Sequence, residues 1–570
     1  MPTLRRDNRI VDLRRATSAH PSEHPKNHSP RRGSQQSPST LRRSGSRRWG
    51  FAALTSGYTL VGIWLSVGSG VVMGDALARV ANAGYAINSR NPHLEAIGFV
   101  WNPLPTLAVI PFGALRGLWP AVSSYGVAGI FVSAGCMAGA VVVLDRIGED
   151  LFVPTPTRRV IVALFAMHPM IVFYGGNGMS EAMFVLLLLV VVRWLSLWLR
   201  NGSTGHLVGA SLALAGAYLT RYEAFPVAVA VVALVIVVTW IRTPGNYTQR
   251  TWLAIADGFI AGMPFAAAVG LWAFASWMIV GSPFEQFTSN YGNAAFVAAA
   301  TAEGEVGAGM ATVATQLAAL QPLGLVVIMT AVVVGWRNRQ PTIAAALAVF
   351  APVLGFAASS AITGITFNFL RFYIALIPLV AIAGLVVLAR PSVALPTHWV
   401  RSTATLGVAM AMAMAIPATA TAFWDRSLAP QEVMVAAAVD QNLRDRYPGL
   451  IPAFEVERQV AGYIDALDLP SGSVLVDVLL GFPIVLSSSD PSVFVIPSDG
   501  DFQAMLADPS AFGIRYILAV PEAGEGSNDA VNQSYPTLFD NGANITVLSG
   551  EFANLNAADP MWRLYRVTGP

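Results

Sequence analysis

Hydrophobic residues run through this chain in blocks of about 17 to 25, broken by short polar stretches, and this spacing predicts helices that cross a lipid bilayer. The blocks fall near 51–73, 122–144, 158–174, 181–199, 206–220, 224–241, 252–280, 310–335, 342–361, 367–389 and 400–423, which makes about eleven spans. Pro103 to Pro120 is apolar as well, but Pro105, Pro111, Gly113 and Arg116 interrupt it, so it reads as an interfacial or re-entrant helix. After Phe423 the pattern changes. Helical periodicity near 430–446 and 453–467 gives way to the short runs SVLVDVLL, SVFVIPS, IRYILAV, NITVL and WRLYRV, which predict the strands of a small α/β domain. The expected fold is mainly α: a polytopic helical membrane protein with an interfacial or re-entrant helix and a small C-terminal extracytoplasmic α/β domain. The expected divisions are a tail over 1–49, a transmembrane domain over 50–423 and the α/β domain over 424–570.

Composition and charge sharpen this picture. Of 570 residues 54% are hydrophobic and 12% charged, and the mean hydropathy is +0.55, values too apolar for a soluble core of this size. The first 49 residues scatter arginines among Ser, Pro and His, as expected of a disordered cytoplasmic tail. With eleven spans, Arg146, Arg158, Arg159, Arg200, Arg242, Arg250, Arg337, Arg339, Arg390 and Arg401 all fall in loops on the tail's side, satisfying the positive-inside rule. The chain is therefore expected in the plasma (inner) membrane, with its N-terminus cytoplasmic and its C-terminal domain outside. The single cysteine, Cys136, excludes a disulfide within the chain. The C-terminal segment holds no phosphate-binding glycine loop, paired CxxC or HExxH, and no nucleic-acid partner is expected.

Polar residues that the spans do not need gather on the outer side. Asp75 and Arg79 follow the first span, and on a helix over 75–87 they share a face with Asn82 and Ala86. An aspartate there can take a proton from an attacking hydroxyl; read structurally, the same residues are a helix pair worth about 0.3–0.5 kcal/mol. Asn102 opens the NPLP motif ahead of the broken helix. Glu181 follows YGGNGMS at a span's start, where Asn177 or Ser180 can also serve as a cap. Arg221 and Glu223 in LTRYEAFP can pair with each other, and Glu285 in GSPFEQFTSNYGN stands in a long outer loop. Arg371 in TFNFLRFYIALIP is placed at an outer helix entrance, where its fixed donors can grip a phosphate or simply snorkel to the interface.

The order of GDALARVANAGY, NPLP with its broken helix, MSEAMF, LTRYEAFP, GSPFE and LRFYIALIP resembles the GT-C superfamily of integral membrane glycosyltransferases, near the polyprenyl-phosphate-mannose-dependent mannosyltransferases. The resemblance covers about residues 51–423. It implies inverting transfer of a sugar, mannose by family, from a polyprenyl-phosphate donor to a hydroxyl of a glycan, glycolipid or protein. Asp75 maps to the base and Arg371, helped by Arg221, to the donor phosphate; Arg79, Asn102, Glu181, Glu223 and Glu285 are then the substrate contacts. Where many relatives carry an acidic pair, this chain has Asp75-Ala76, so no metal ligands are assigned and a divalent cofactor is left open. The WWDYG-type signature of oligosaccharyltransferases is absent. A lipid or sugar transporter, or a noncatalytic envelope-assembly protein, is the alternative.

Overall fold

The computed structural model describes residues 38–289, 291–292, 295–298, 307–389, 398–451, 453–553 and 562–568. The basic-tail reading over 1–37 lies outside the described residues. The chain separates into two units between Arg48 and Trp49. Residues 38–48 of the first are helical, within a helix that runs Pro38–Ile63, so helix begins inside the stretch expected as tail.

Within the second unit the architecture is a multi-pass helical membrane protein that carries a small sheet near its C-terminus. Among the described residues eight helices are long and apolar enough to cross a membrane, and two bent pairs bring the number to ten. An α-helix suits a bilayer because every backbone N–H and C=O within it is satisfied internally. Of the eleven expected spans, only 206–220 falls short of that length, as the 15-residue helix Thr204–Tyr218. Both bent pairs break at an X-Pro step: His168 before Pro169 (61°) and Gln321 before Pro322 (75°). Proline's ring pushes the preceding residue out of the α region, and His168 and Gln321 both lie outside it, with ψ of 132° and 81°. Elsewhere the bundle closes tightly. Gly62 and Gly176 meet backbone to backbone, and a Cβ on Gly176 would sit 2.8 Å from the Tyr58 carbonyl.

Between the first span and the rest lies the helix Gly74–Asn88, with Asp75 in its first turn, a placement that the helix dipole favours. Its buried residues Leu77, Val80, Ala81 and Tyr85 share one apolar cluster with Val109 and Val122 and with Val474, Ile484, Phe494 and Trp562. The apolar core of the C-terminal sheet is therefore continuous with the helix that carries Asp75. Pro103–Gly113 forms the short helix expected of the broken segment.

The sheet has five strands in the order β2-β1-β3-β5-β4: β1 Val474–Leu475, β2 Phe494–Val495, β3 Tyr516–Ala519, β4 Thr546–Phe552 and β5 Trp562–Val567. β1 pairs parallel with both β2 and β3, whereas β5 is antiparallel to β3 and β4. All five expected strand runs contribute, but SVLVDVLL gives only two strand residues. Asp477 ends the strand by accepting from the Leu479 N–H at 2.8 Å, and so caps the helix Val478–Ser487. Alternation then sorts the side chains: Val474 and Val476 face the Gly74–Asn88 helix, and Leu475 enters a second cluster with Val495, Phe502 and Ile517. Arg90, just past that helix, ties the two parts by bonding to Asp499 at 3.2 Å and to Asp501 at 3.1 Å.

Candidate active site

Four segments distant in sequence bring their charges together. Arg371 stands in the turn Leu370–Tyr373 at the head of a buried span. Its Nη2 donates to Asp75 Oδ2 at 2.9 Å, across 296 residues of sequence, and its Nε lies 3.7 Å from Glu181 Oε1. Phe369 and Phe372 cover the guanidinium at 5.0 and 5.5 Å, which fixes its plane. Arg221 donates to Glu181 Oε1 at 2.7 Å and, through Nε and Nη2, to Glu223 Oε1 at 3.0 and 2.5 Å. The Arg221–Glu223 pair expected from LTRYEAFP thus forms, and Glu181 bridges it to Arg371.

Arg79 behaves otherwise. Its Nη1 reaches the main-chain oxygen of Asp75 at 3.4 Å, and its guanidinium stacks 4.5 Å over Trp101. No side-chain bond to Asp75 forms, since the Asp75 carboxylate is turned to Arg371. Asp75, Glu181 and Glu223 formally balance Arg79, Arg221 and Arg371. Burial raises the Asp75 carboxyl, but Arg371 first, then Arg79 and Arg221, together outweigh it and hold it below its ordinary range. Burial pushes the Arg79 guanidinium down to about 10, against the carboxylates of Asp75 and Glu181. Arg221 is held above its usual value: burial lowers it, but Glu223 and Glu181 overcome that loss.

A cavity of about 190 Å³ opens beside the cluster. Glu181, Arg221, Glu223 and Arg371 form its charged end, and Phe184, Leu188, Phe356 and Phe372 from three spans, with Ile365 from the turn after one of them, make its apolar wall. One oxygen of Glu181, Oε2, is buried without a hydrogen-bond partner. Asp75 joins this group through Arg371 and does not line the cavity itself. Asn102 and Glu285 also stand outside the lining. Asn102 is buried and donates to the Tyr218 carbonyl, which fastens the start of the Pro103–Gly113 helix. Glu285 opens the single turn Glu285–Thr288, and its neighbours Gln286 and Phe287 reach the cavity instead.

Glu432 went unnoticed in the sequence. It lies past the last span, fully buried, and accepts from the Tyr174 hydroxyl at 2.6 Å. Burial raises its carboxyl, against the Tyr174 hydrogen bond and Arg371. Only its position after a span could have flagged it. Among the described residues no group of three or more His, Cys, Asp or Glu side chains is placed to hold a metal ion.

No family model matches the chain, and no curated protein matches it. Solved structures do. ArnT from Cupriavidus metallidurans bound to undecaprenyl phosphate shares 13% identity over 90% of this chain and 98% of its own, with a TM-score of 0.46. The mycobacterial arabinofuranosyltransferase AftD shares 15% over 92% of this chain and 42% of its own, at 0.43. The oligosaccharyltransferase AglB from Archaeoglobus fulgidus, in complex with an inhibitory peptide and a dolichol-phosphate, shares 12% over 84% and 70%, at 0.39.

Proposed function

We propose that this protein is an inverting glycosyltransferase that moves a sugar, mannose in the first instance, from a polyprenyl-phosphate donor to a hydroxyl acceptor at the outer face of the membrane. The observation that carries the reading is the Asp75–Arg371 pair, in which a carboxylate able to act as base meets a guanidinium that also lines an apolar-walled cavity between spans. A base and an anion-gripping group in contact suit a displacement in which a proton is lost at one oxygen and charge builds on another.

The reading has these steps. The donor phosphate takes the Arg371 guanidinium, with Arg221 near by, and competes for the donor N–H groups that Asp75 occupies. Asp75 then loses its strongest stabilising neighbour and becomes a better proton acceptor. It takes the acceptor's hydroxyl proton as that oxygen bonds to the anomeric carbon. The bond from that carbon to the phosphate oxygen breaks, and the electron pair leaves with the polyprenyl phosphate, held by Arg371. The unpartnered Glu181 Oε2 accepts from a substrate hydroxyl, and the apolar wall meets the first isoprene units. Glu223 holds Arg221 in place, and Arg79, Asn102 and Glu285 complete the surroundings. The N-terminus is cytoplasmic and the C-terminal domain extracytoplasmic in this reading, and the acceptor is a glycan, glycolipid or protein hydroxyl.

Sugar transfer from radiolabelled polyprenyl-phosphomannose in membranes with wild-type or Asp75→Asn protein at equal abundance tests the proposal. Transfer by the wild type that is lost in the variant is expected. Undiminished transfer in Asp75→Asn would remove the base, and no transfer by wild type from any of several polyprenyl-phosphate sugars would remove the enzyme.

A further inference from the structure

The loop after the helix Tyr247–Val280 does two things a few residues apart. Gln286 and Phe287 line the cavity beside Arg221 and Glu223, where the Phe287 ring meets Tyr222 edge-on at 5.7 Å. Shortly after them Tyr291 leaves the membrane part and donates its hydroxyl to both carboxylate oxygens of Asp477, at 3.0 and 2.9 Å.

Asp477 is fully buried and already has other work. It caps Val478–Ser487 through Leu479 and accepts from the Ala530 N–H at 2.6 Å. Those two bonds hold the domain's own turns together, so the domain does not need the tyrosine for its cap. The bond from Tyr291 adds something else: it fixes the cavity-lining loop to the domain. The helix that Asp477 caps shares an apolar core with Gly74–Asn88, whose first turn carries Asp75. One carboxylate thus joins a wall of the cavity to the body that supports the base.

We propose that the C-terminal domain is part of the transferase site, and that Tyr291 and Asp477 are positioning residues which hold the Gln286–Phe287 wall in register with Arg221, Arg371 and the Asp75 helix. The proposal rests on the glycosyltransferase reading for its kinetic consequence and on geometry alone for its mechanical one. A phenol and a carboxylate taken out of water are bonded or costly, so removing the hydroxyl frees the loop while leaving the ring to pack. The wall then spends part of its time out of place, which weakens the grip on the sugar-phosphate end of the donor and leaves the reacting groups intact once it is bound.

Tyr291→Phe in the full-length protein is the test, read in two ways. The Michaelis constant for the polyprenyl-phosphate sugar is expected to rise about tenfold with kcat within about twofold. Backbone amide exchange over 284–289 is expected to speed up while exchange in β1 and β3 stays as in wild type. Asp477→Asn keeps an oxygen for the tyrosine and for Leu479 but turns an NH2 toward the Ala530 N–H, so it should also speed exchange around 530, which Tyr291→Phe should not. Faster exchange spread over the whole C-terminal domain, or unchanged exchange at 284–289, would overturn the proposal, as would a loss confined to kcat. If wild type transfers no sugar, the transferase reading fails by itself and the exchange arm still decides whether the domain holds the loop.

Discussion

Replacing Asp75 by asparagine should do opposite things to donor binding and to transfer. In the resting site Arg371 Nη2 is held by Asp75 Oδ2 at 2.9 Å, and the Asp75 side chain is 34% exposed against 8% for Arg371. A hydrogen bond between charged groups is worth about 1.5–3 kcal/mol net when well sheltered, and the partial exposure of Asp75 brings this down to about 1.4 kcal/mol. An incoming phosphate has to meet that cost. Asparagine keeps the shape but not the charge, so the polyprenyl-phosphate lipid should bind Asp75→Asn about tenfold more tightly than wild type. Transfer should be lost in the same protein, because the amide takes no proton. Binding of the phosphate lipid to purified protein in nanodiscs, titrated beside the radiolabel assay, gives both numbers from one preparation. Equal or weaker binding by Asp75→Asn would refute the idea that base and donor compete for Arg371.

Three further outcomes follow from the same geometry. As the proposed base, Asp75 has to be ionised, and the arginines hold its carboxyl low, so the acid limb of kcat/KM should lie below the usual carboxylate range; Arg79→Gln removes one lowering charge and should move that limb to higher pH in a pH–rate profile. Asp529, buried and beside Asp477, is pushed up to about 7. The folded state therefore binds a proton that the unfolded chain releases near pH 4: this stability is full below about 4, is lost as pH rises to about 7, and should give a higher unfolding midpoint at pH 5 than at pH 8, a slope that Asp529→Asn should flatten. Gly62→Ala would drive a Cβ into the Gly176 carbonyl and should lower the thermal midpoint in detergent by several degrees, corresponding to about 1–3 kcal/mol; an unchanged midpoint would mean that the two helices separate freely there.

Hydropathy made the spans legible because lipid imposes length and apolarity on every crossing, and the five strand runs were legible as short or alternating apolar stretches set between polar turns. The bends were written in the chain as His168-Pro169 and Gln321-Pro322, yet a window of average hydropathy passes over a proline. Asp477 shows another limit. In SVLVDVLL it looks like one polar residue in a strand, whereas it ends the strand and starts a helix, an outcome set by its reach to the Leu479 N–H. At the site, residue type and order singled out Asp75, Glu181, Arg221, Glu223 and Arg371, all of which the fold brings together. Partner choice was legible only where it is local, as in Arg221–Glu223. Helical spacing offers Arg79 to Asp75, but the packing of Trp101 draws Arg79 away and the turn at 370–373 delivers Arg371 instead. Glu432 and Tyr174 are 258 residues apart, and no local pattern announces such a pair.

The balance of three carboxylates against three guanidiniums bears on selectivity. A membrane is itself a solution of anionic headgroups, and a surplus of arginine at a cavity between spans would fill with whichever phospholipid is most abundant. Here the two guanidiniums that line the cavity, Arg221 and Arg371, are already held by carboxylates, so an anion that takes either of them competes with a carboxylate. A lipid that offers nothing beyond its phosphate has little with which to offset that exchange. On the proposed reading, a donor that also presents sugar hydroxyls to Glu181 and a slender branched tail to the wall of Phe184, Phe356 and Phe372 does, and is thereby picked out from the bulk lipid around it.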